Sequence, residues 1–191
     1  MPLARPLEVA SADGSVQVAD GEALIAEAER VDDFDPSVPE PVSVEEARRA
    51  SGRYRGDRGG QFSRCFVCGL DREDGLGVFA GEVAGRDVVA SPWTPPQWTG
   101  DRSGQVRPEL VWAVLDCPTY FAAYMREELA VAFLARMTAS LVAPVPAGEE
   151  HVVIAWPIEV DGRKRLAGSA VLAADGEIRA LAHVLLVEPR T

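Results

Sequence analysis

The fold is decided by the stretch Q-V-R-P-E-L-V-W-A-V-L-D-C-P-T-Y-F-A-A-Y-M, residues 105–125. We predict one helix here, because Pro108 suits a first helical turn and nearly every residue from Leu110 onward is apolar. A helix that is apolar on all sides lies in a core rather than on a surface. The stretch is too short and too interrupted to cross a membrane. It therefore predicts a buried central helix.

Two residues interrupt the apolar run of this helix. Asp116 is its only acid, and an unpaired buried carboxylate is costly. Pro118 lacks the N–H that would bond the Val114 carbonyl, which predicts a kink. Asp116 is thus the first candidate for a catalytic residue, although it could instead accept hydrogen bonds at the break beside Pro118. Glu109 is an alternative acid, but a first-turn glutamate also complements the helix dipole.

The chain after the helix is dominated by strand patterns. Apolar residues alternate over residues 130–141, although that composition also allows a helix. Strands are predicted over residues 152–160, 164–172 and 177–187. The Asp-Gly pairs at 161–162 and 175–176 are hairpin turns, so these three strands form a meander. One buried helix with an antiparallel sheet wrapped around it gives an α+β domain.

The N-terminal third is predicted to contain shorter elements. Residues 1–13 show no regular pattern. Strands are predicted at 15–18 and 23–31 around Asp20-Gly21, and at 76–83 with a return at 87–91. Ser43-Val-Glu-Glu46 is a capping box that opens a short helix ending near Ser51-Gly52. We divide the chain into an N-terminal extension, residues 1–61, and a main domain, residues 62–191.

Composition excludes several classes of function. The net charge of −11 argues against nucleic acid as a partner, since nucleic-acid binding requires basic patches. Three cysteines in 191 residues favour a reducing compartment, and the N-terminal sequence lacks the apolar core of a signal peptide. We therefore expect a cytoplasmic protein without a membrane-spanning segment.

Cys65-Phe-Val-Cys68 has the spacing of a zinc or redox motif. A zinc site needs four ligands, and the remaining candidates, Cys117, His151 and His183, are all distant in sequence. We therefore expect two inert thiols, no bound metal and no cofactor. Cys117 is interpreted as a core cysteine.

The order of these elements resembles the hotdog-fold thioesterase superfamily, in its phenylacetate-type acyl-CoA thioesterase branch. The resemblance covers residues 62–188. It rests on an acid inside the central helix, on Leu141-x-x-Pro-Val-Pro-Ala-Gly-Glu149, and on the Asp-Gly turns that follow. The run Cys65-Phe-Val-Cys-Gly69, followed by Gly75-Leu-Gly77, also resembles a segment that precedes the helix in many members.

The resemblance implies hydrolysis of acyl-thioesters of coenzyme A or acyl-carrier protein, in dimers or tetramers with active sites at subunit interfaces. In this family a backbone N–H at the start of the central helix polarises the thioester carbonyl, and a helix acid, often from the facing subunit, activates water or attacks. Asp116 takes the acid's place here. Many members have His-Gly-Gly where this chain has Arg107-Pro108-Glu109, and Pro108 removes one donor. A non-catalytic acyl-CoA or acyl-ligand binding protein is therefore the alternative function.

Substrate-binding candidates are aromatic or basic. The aromatic ones could line an acyl pocket or simply belong to the core, and the basic ones could meet coenzyme A phosphates or form a solvated hairpin tip. The candidates are Trp93, Trp98, Trp112, Tyr120, Arg107, Arg163 and Arg165, and two further aromatic residues of the helix, Phe121 and Tyr124, could also line the pocket. Among the aromatic residues, the loop tryptophans Trp93 and Trp98 are the better candidates. We expect a homodimer or higher homo-oligomer, because the edge strands of the predicted sheet must be paired or covered.

Overall fold

The computed structural model describes residues 6–32, 34, 36–60 and 62–190. The chain forms two compact units, Met1–Phe34 and Asp35–Thr191. The first unit is a three-stranded antiparallel sheet in the order β1-β2-β3. Its strands are β1 (Glu8–Ala12), β2 (Ser15–Asp20) and β3 (Ala23–Glu29).

Within the first unit, the predicted hairpin at Asp20-Gly21 is confirmed, and Gly21 adopts the positive φ of 60° that such a turn requires. The expectation that residues 1–13 lack regular structure is wrong for Glu8–Ala12, which pairs with β2; residues 1–5 lie outside the described residues. Every residue of β1 is exposed, so this strand has no buried face whose alternation the sequence could reveal.

Within its described residues, the second unit contains two α-helices, a short 3₁₀-helix at Gln97–Thr99, and a six-stranded antiparallel sheet in the order β4-β5-β7-β8-β9-β6. The α-helices are α1 (Val44–Ser51) and α2 (Pro108–Ala123). The strands are β4 (Gly81–Glu82), β5 (Val89–Trp93), β6 (Phe133–Leu141), β7 (His151–Asp161), β8 (Lys164–Ala173) and β9 (Ile178–Val187). The predicted meander β7-β8-β9 is confirmed.

The central helix α2 packs against the middle of this sheet. Val114 and Leu115 are completely buried in one core with Ala167 and Val171 of β8 and Ala182 of β9. Pro108 occupies the first turn of α2, as predicted. The predicted α+β hotdog architecture, in which an antiparallel sheet wraps around one helix, is confirmed.

Helix α1 begins at the predicted capping box. The Glu46 N–H donates to Ser43 Oγ, and the Glu46 carboxylate accepts from the Ser43 N–H at 3.0 Å. Ala47 and Ala50 are fully buried. A Cβ atom at Gly81 would lie 2.0 Å from the Ala50 carbonyl, so only glycine allows α1 to approach β4 this closely. Helix α1 thus belongs to the second unit, and a domain boundary at residue 61 stays a prediction.

The strand predicted at residues 76–83 is wrong except for Gly81–Glu82. The N–H of Leu76 bonds the Phe66 carbonyl at 2.8 Å, and the N–H of Val78 bonds the Val67 carbonyl at 2.9 Å. The backbone N–H groups of this segment therefore bond carbonyls of the Cys65–Cys68 turn rather than those of a neighbouring strand. The alternating apolar residues of this segment nevertheless belong to the core, since Leu76 and Val78 are both buried.

In the described part of the chain, no helix is both long and apolar enough to span a bilayer.

Candidate functional site

A cavity of about 110 Å³ lies beside the second half of α2, in the second unit. It is bounded by side chains from α2, from the Cys65–Cys68 turn, from the beginning of β6 and from the end of β9. The lining residues are Phe62, Cys65, Cys68, Asp116, Cys117, Tyr120, Phe121, Ala132, Leu134 and Leu186. Asp116 is the only carboxylic acid among them, and most of the others are apolar.

Asp116 is partly buried at this cavity. Burial raises the pKa of its carboxyl to about 6, and the negative charge of the Cys65 sulfur contributes in the same direction. Within the described ranges no donor bonds its carboxylate; the contact near Pro118 is instead a 2.5 Å hydrogen bond from Thr119 Oγ1 to the backbone carbonyl of Asp116. The structure thus gives no donor for the alternative interpretation, in which the side chain accepts hydrogen bonds at the helix break.

The beginning of α2 offers few free donors. The N–H of Arg107 bonds the Thr99 carbonyl at 3.0 Å, and the N–H groups of Leu110 and Val111 both bond the Arg107 carbonyl. Because Pro108 has no N–H, the Glu109 amide is the one donor of this first turn for which the described residues provide no backbone acceptor. Glu109 itself is exposed and lies 3.5 Å from Arg107 in an ion pair. Neither residue lines the cavity.

Three thiols meet on the wall of the cavity. The Sγ atoms of Cys65, Cys68 and Cys117 all lie within 4.8 Å of one another, and Cys65 Sγ is 3.3 Å from Cys117 Sγ. Hydrogen bonds from the Cys117 and Cys68 thiols lower the pKa of Cys65, whereas donation to Cys65 raises the pKa of Cys117. Cys117 is 52 residues from Cys65 in the sequence, and only the fold brings the two thiols together.

Of the aromatic residues named from the sequence, Tyr120 and Phe121 line the cavity, and the Tyr120 hydroxyl donates to the Ala130 carbonyl at 2.8 Å. Trp93 is buried in the core, where its Nε1–H donates to the Leu76 carbonyl at 3.1 Å. Trp98 and Trp112 remain 49% and 40% exposed and do not line the cavity. The prediction missed Phe62, Leu134 and Leu186, which carry no chemical signal beyond being apolar.

The two arginines of the β7-β8 hairpin have different surroundings. Arg163 is exposed at the turn and donates to the Glu188 carbonyl at 2.5 Å. Arg165 is buried, where its guanidinium bonds the carboxylates of Glu127 and Glu188 and lies 4.1 Å from the centre of the Tyr124 ring. The interpretation of Arg165 as part of a solvated hairpin tip is therefore wrong, because its charge is already paired inside the protein.

No family model matches the sequence, and no curated protein matches it significantly. Solved structures do match. A crystal structure described as a thioesterase superfamily protein superposes with a TM-score of 0.58 at 20% identity, covering 80% of this chain and 69% of that one. Zebrafish thioesterase superfamily member 2 gives 0.55 at 17% identity, covering 68% of this chain and 94% of its own.

The PaaI protein from the phenylacetic acid degradation operon of Escherichia coli gives a TM-score of 0.52 at 12% identity. That match covers 59% of this chain and 84% of the E. coli protein. At sequence identities of 12–20%, these matches show a shared fold and nothing more specific. The resemblance to the hotdog fold of thioesterase superfamily proteins, predicted from the sequence, is confirmed.

Proposed function

We propose that this protein hydrolyses an acyl-thioester and that the Asp116 carboxylate is its catalytic group. The observation that carries the proposal is the position of the Asp116 carboxylate on the central helix, where it lines a mainly apolar cavity. None of the described residues donates a hydrogen bond to this carboxylate. Desolvation raises its pKa to about 6, which strengthens it as a base near neutral pH. In one route the carboxylate would take a proton from the attacking water and pass it to the leaving thiolate as the C–S bond breaks. In the other it would attack the carbonyl carbon itself and expel the thiolate, and water would then hydrolyse the resulting mixed anhydride to the free acid.

The reaction also needs a donor for the negative charge that develops on the thioester oxygen. The amide N–H of Glu109 is our candidate, since the other N–H groups of the first turn are absent or already bonded. Because Glu109 does not line the cavity of its own subunit, this N–H would serve a thioester held at Asp116 of the facing subunit. Arg107 and Arg163 stay our candidates for the phosphates of coenzyme A, because both side chains reach solvent. Arg165 is withdrawn from that role.

The cavity supports a short acyl group as substrate. Its volume of about 110 Å³ is smaller than the cavity of about 150 Å³ that holds benzene in another protein. Its wall is apolar at Phe121, Ala132 and Leu134, as burial of an acyl chain requires. We therefore infer acyl-coenzyme A substrates with only a few acyl carbons.

We further propose a homodimer with the active site at the subunit interface. Strand β6 is at one edge of the sheet, and Phe133, Leu134 and Leu141 on it are all more than 40% exposed. An exposed apolar edge strand favours pairing with another strand. Because Leu134 also lines the cavity, a second subunit on β6 would cover the acyl site. The three free thiols are consistent with a cytoplasmic location.

The test is turnover measured on a series of acyl-coenzyme A esters from acetyl to long-chain and phenylacetyl, followed by the loss of thioester absorbance. We expect saturable hydrolysis that is fastest with short acyl groups. Asp116→Asn should lower it by about 100-fold or more, whereas Glu109→Gln, which keeps the backbone N–H, should leave it near the wild-type rate. A folded wild-type protein that hydrolyses none of the esters contradicts the proposal.

The second candidate function is non-catalytic binding of an acyl-coenzyme A. It is favoured by the start of α2, where Pro108 lacks an N–H and Glu109 places a negative charge beside the remaining donor. A pure binder would raise its melting temperature with ligand concentration while leaving the thioester intact. The same series of esters, used in a thermal-shift measurement, separates the two functions.

A further inference from the structure

All three cysteines of the chain converge on one wall of the cavity. Their sulfur atoms lie within 4.8 Å of one another, and the closest pair is 3.3 Å apart. A tetrahedral zinc ion with Zn–S bonds of about 2.3 Å holds its sulfur ligands about 3.8 Å apart. The observed sulfur–sulfur distances, from 3.3 Å for the closest pair to no more than 4.8 Å, include this distance of about 3.8 Å. A single ion can therefore reach all three sulfurs with small side-chain adjustments.

The turn that carries Cys65 and Cys68 is tightly built. The Gly69 N–H bonds the Cys65 carbonyl at 2.9 Å, which closes the turn. A Cβ atom at Gly69 would lie 2.5 Å from the Ser63 carbonyl oxygen and 2.6 Å from the Cys65 nitrogen, so only glycine fits there. The backbone pairing of Phe66 and Val67 with the following segment holds the turn from the other side. Two thiols are thus preorganised, and α2 supplies the third.

We propose that Cys65, Cys68 and Cys117 together bind one thiophilic metal ion of the zinc(II) class. Three protein ligands leave one position of a tetrahedral ion, and this position faces the cavity that Asp116 also lines. Each thiol that enters as a thiolate releases its proton to solvent, and nothing is oxidised or reduced. The sequence-based expectation of no metal rested on a count of two clustered ligands, and the fold raises that count to three.

A disulfide between Cys65 and Cys117 is the competing use of these thiols. It would require the sulfurs to approach to about 2.05 Å and an oxidant to accept two electrons. It would also leave Cys68 without a role, although Cys68 is buried against the other two. Metal binding uses all three thiols in the reduced state. The site goes beyond thioester hydrolysis, and its occupancy can be measured without any substrate.

The test uses the full chain with any affinity tag removed, produced in zinc-supplemented medium and purified under reducing conditions. Elemental analysis should find about one zinc per chain. After removal of zinc with a chelator, cobalt(II) should restore the site and give a sulfur-to-cobalt charge-transfer band. Alkylation of the native protein should be slow with zinc bound and should reach all three thiols after chelation.

Cys117→Ser should reduce the zinc content to less than about one tenth and abolish the cobalt band, since two thiolates alone bind weakly. His151→Gln and His183→Gln are matched controls that should keep the metal, because neither histidine lines the site. If Cys117→Ser does not fold, the alkylation and cobalt measurements on the unmodified chain still decide the matter.

Three reactive thiols and no cobalt band in zinc-supplemented, reduced protein would overturn the proposal. A Cys65–Cys117 disulfide in the purified chain, or full zinc content in folded Cys117→Ser, would do the same. Turnover measured on the same preparation is a separate result: metal without hydrolysis rejects only the hydrolase, and hydrolysis without metal rejects only the metal site.

Discussion

The Ser169 hydroxyl on β8 donates a 2.6 Å hydrogen bond to the backbone carbonyl of Leu115, the residue before Asp116 on α2. Both residues are completely buried. Pro118 lies inside α2, and side-chain hydroxyls bond two backbone carbonyls just before it: Ser169 bonds that of Leu115, and Thr119 bonds that of Asp116. The bond from Ser169 ties the helix to the middle of the sheet directly beside the candidate catalytic acid.

Ser169→Ala should therefore lower the free energy of unfolding by about 1–3 kcal/mol, because a buried carbonyl loses its partner. It should also lower turnover per folded molecule, since the backbone that carries Asp116 is no longer held. Ser91→Ala is the matched control: Ser91 is equally buried and accepts from the Phe79 N–H at 3.0 Å. Urea unfolding and turnover should show similar stability losses for both variants but a turnover loss only for Ser169→Ala.

Asp116→Asn should lower turnover at saturating substrate by about 100-fold or more, the usual scale for a positioned acid–base group. Its melting temperature should not fall, because the described residues provide no donor that the carboxylate would lose, and burial disfavours its charge. Unchanged turnover in the folded variant would remove Asp116 from the mechanism. A fall in melting temperature with unchanged turnover would restore the interpretation of Asp116 as an acceptor beside Pro118.

The parts of the fold that the sequence predicted are those with a strong local period. The apolar helix, the capping box at Ser43 and the Asp-Gly turns of the meander each depend on residues within a few positions of one another. The segment at residues 76–83 alternates like a strand, yet its backbone bonds a turn formed by residues 66 and 67. No local pattern shows which partner such a segment will choose.

The site was predicted less well, because it depends on residues that meet only in the folded chain. Asp116 was identifiable as a charge in an apolar helix. The cluster of Cys65 and Cys68 with Cys117 was not, since helix α2 brings the third thiol from 52 residues away. The role predicted for Arg165 was wrong for a similar reason: its ion-pair partner Glu188 follows the last residue of β9 and lies 23 residues further along the chain.

Phe133→Lys should convert a dimer into a monomer, because it places a charge on the exposed apolar edge strand β6. Sedimentation at micromolar concentration should give twice the 20.5 kDa chain mass for the wild type and a single chain mass for the variant. Val9→Lys, in the exposed strand β1 of the first unit, is the control and should stay dimeric. Dissociation by Val9→Lys alone would move the interface to that unit.

Arg165→Met should lower the free energy of unfolding by about 1–3 kcal/mol, because the carboxylates of Glu127 and Glu188 lose their guanidinium partner but stay 53% and 26% exposed to solvent. Arg163→Met, two residues away and exposed, should change it by no more than about 0.5 kcal/mol. If Arg163 meets coenzyme A phosphates, its variant should raise KM while stability stays level. Equal stability losses in denaturant unfolding would show that the Arg165 ion pairs contribute no more than a surface contact.

His151 should make the protein less stable in mild acid. It is buried beside Trp93, its Nδ1 lies 2.9 Å from the Glu149 carbonyl, and desolvation lowers its pKa, with the charge of Arg179 acting in the same direction. Because the folded-state pKa lies below the unfolded value of about 6.5, the unfolded chain binds more protons in this range. The contribution of neutral His151 is therefore complete above about pH 6.5 and is lost as the pH falls through the folded-state pKa.

His151→Gln has no such titration, so the stability gap between wild type and variant should be larger at pH 8 than at pH 5. Urea unfolding of both proteins at the two pH values measures that gap, and an equal gap at both would show that His151 does not titrate with folding.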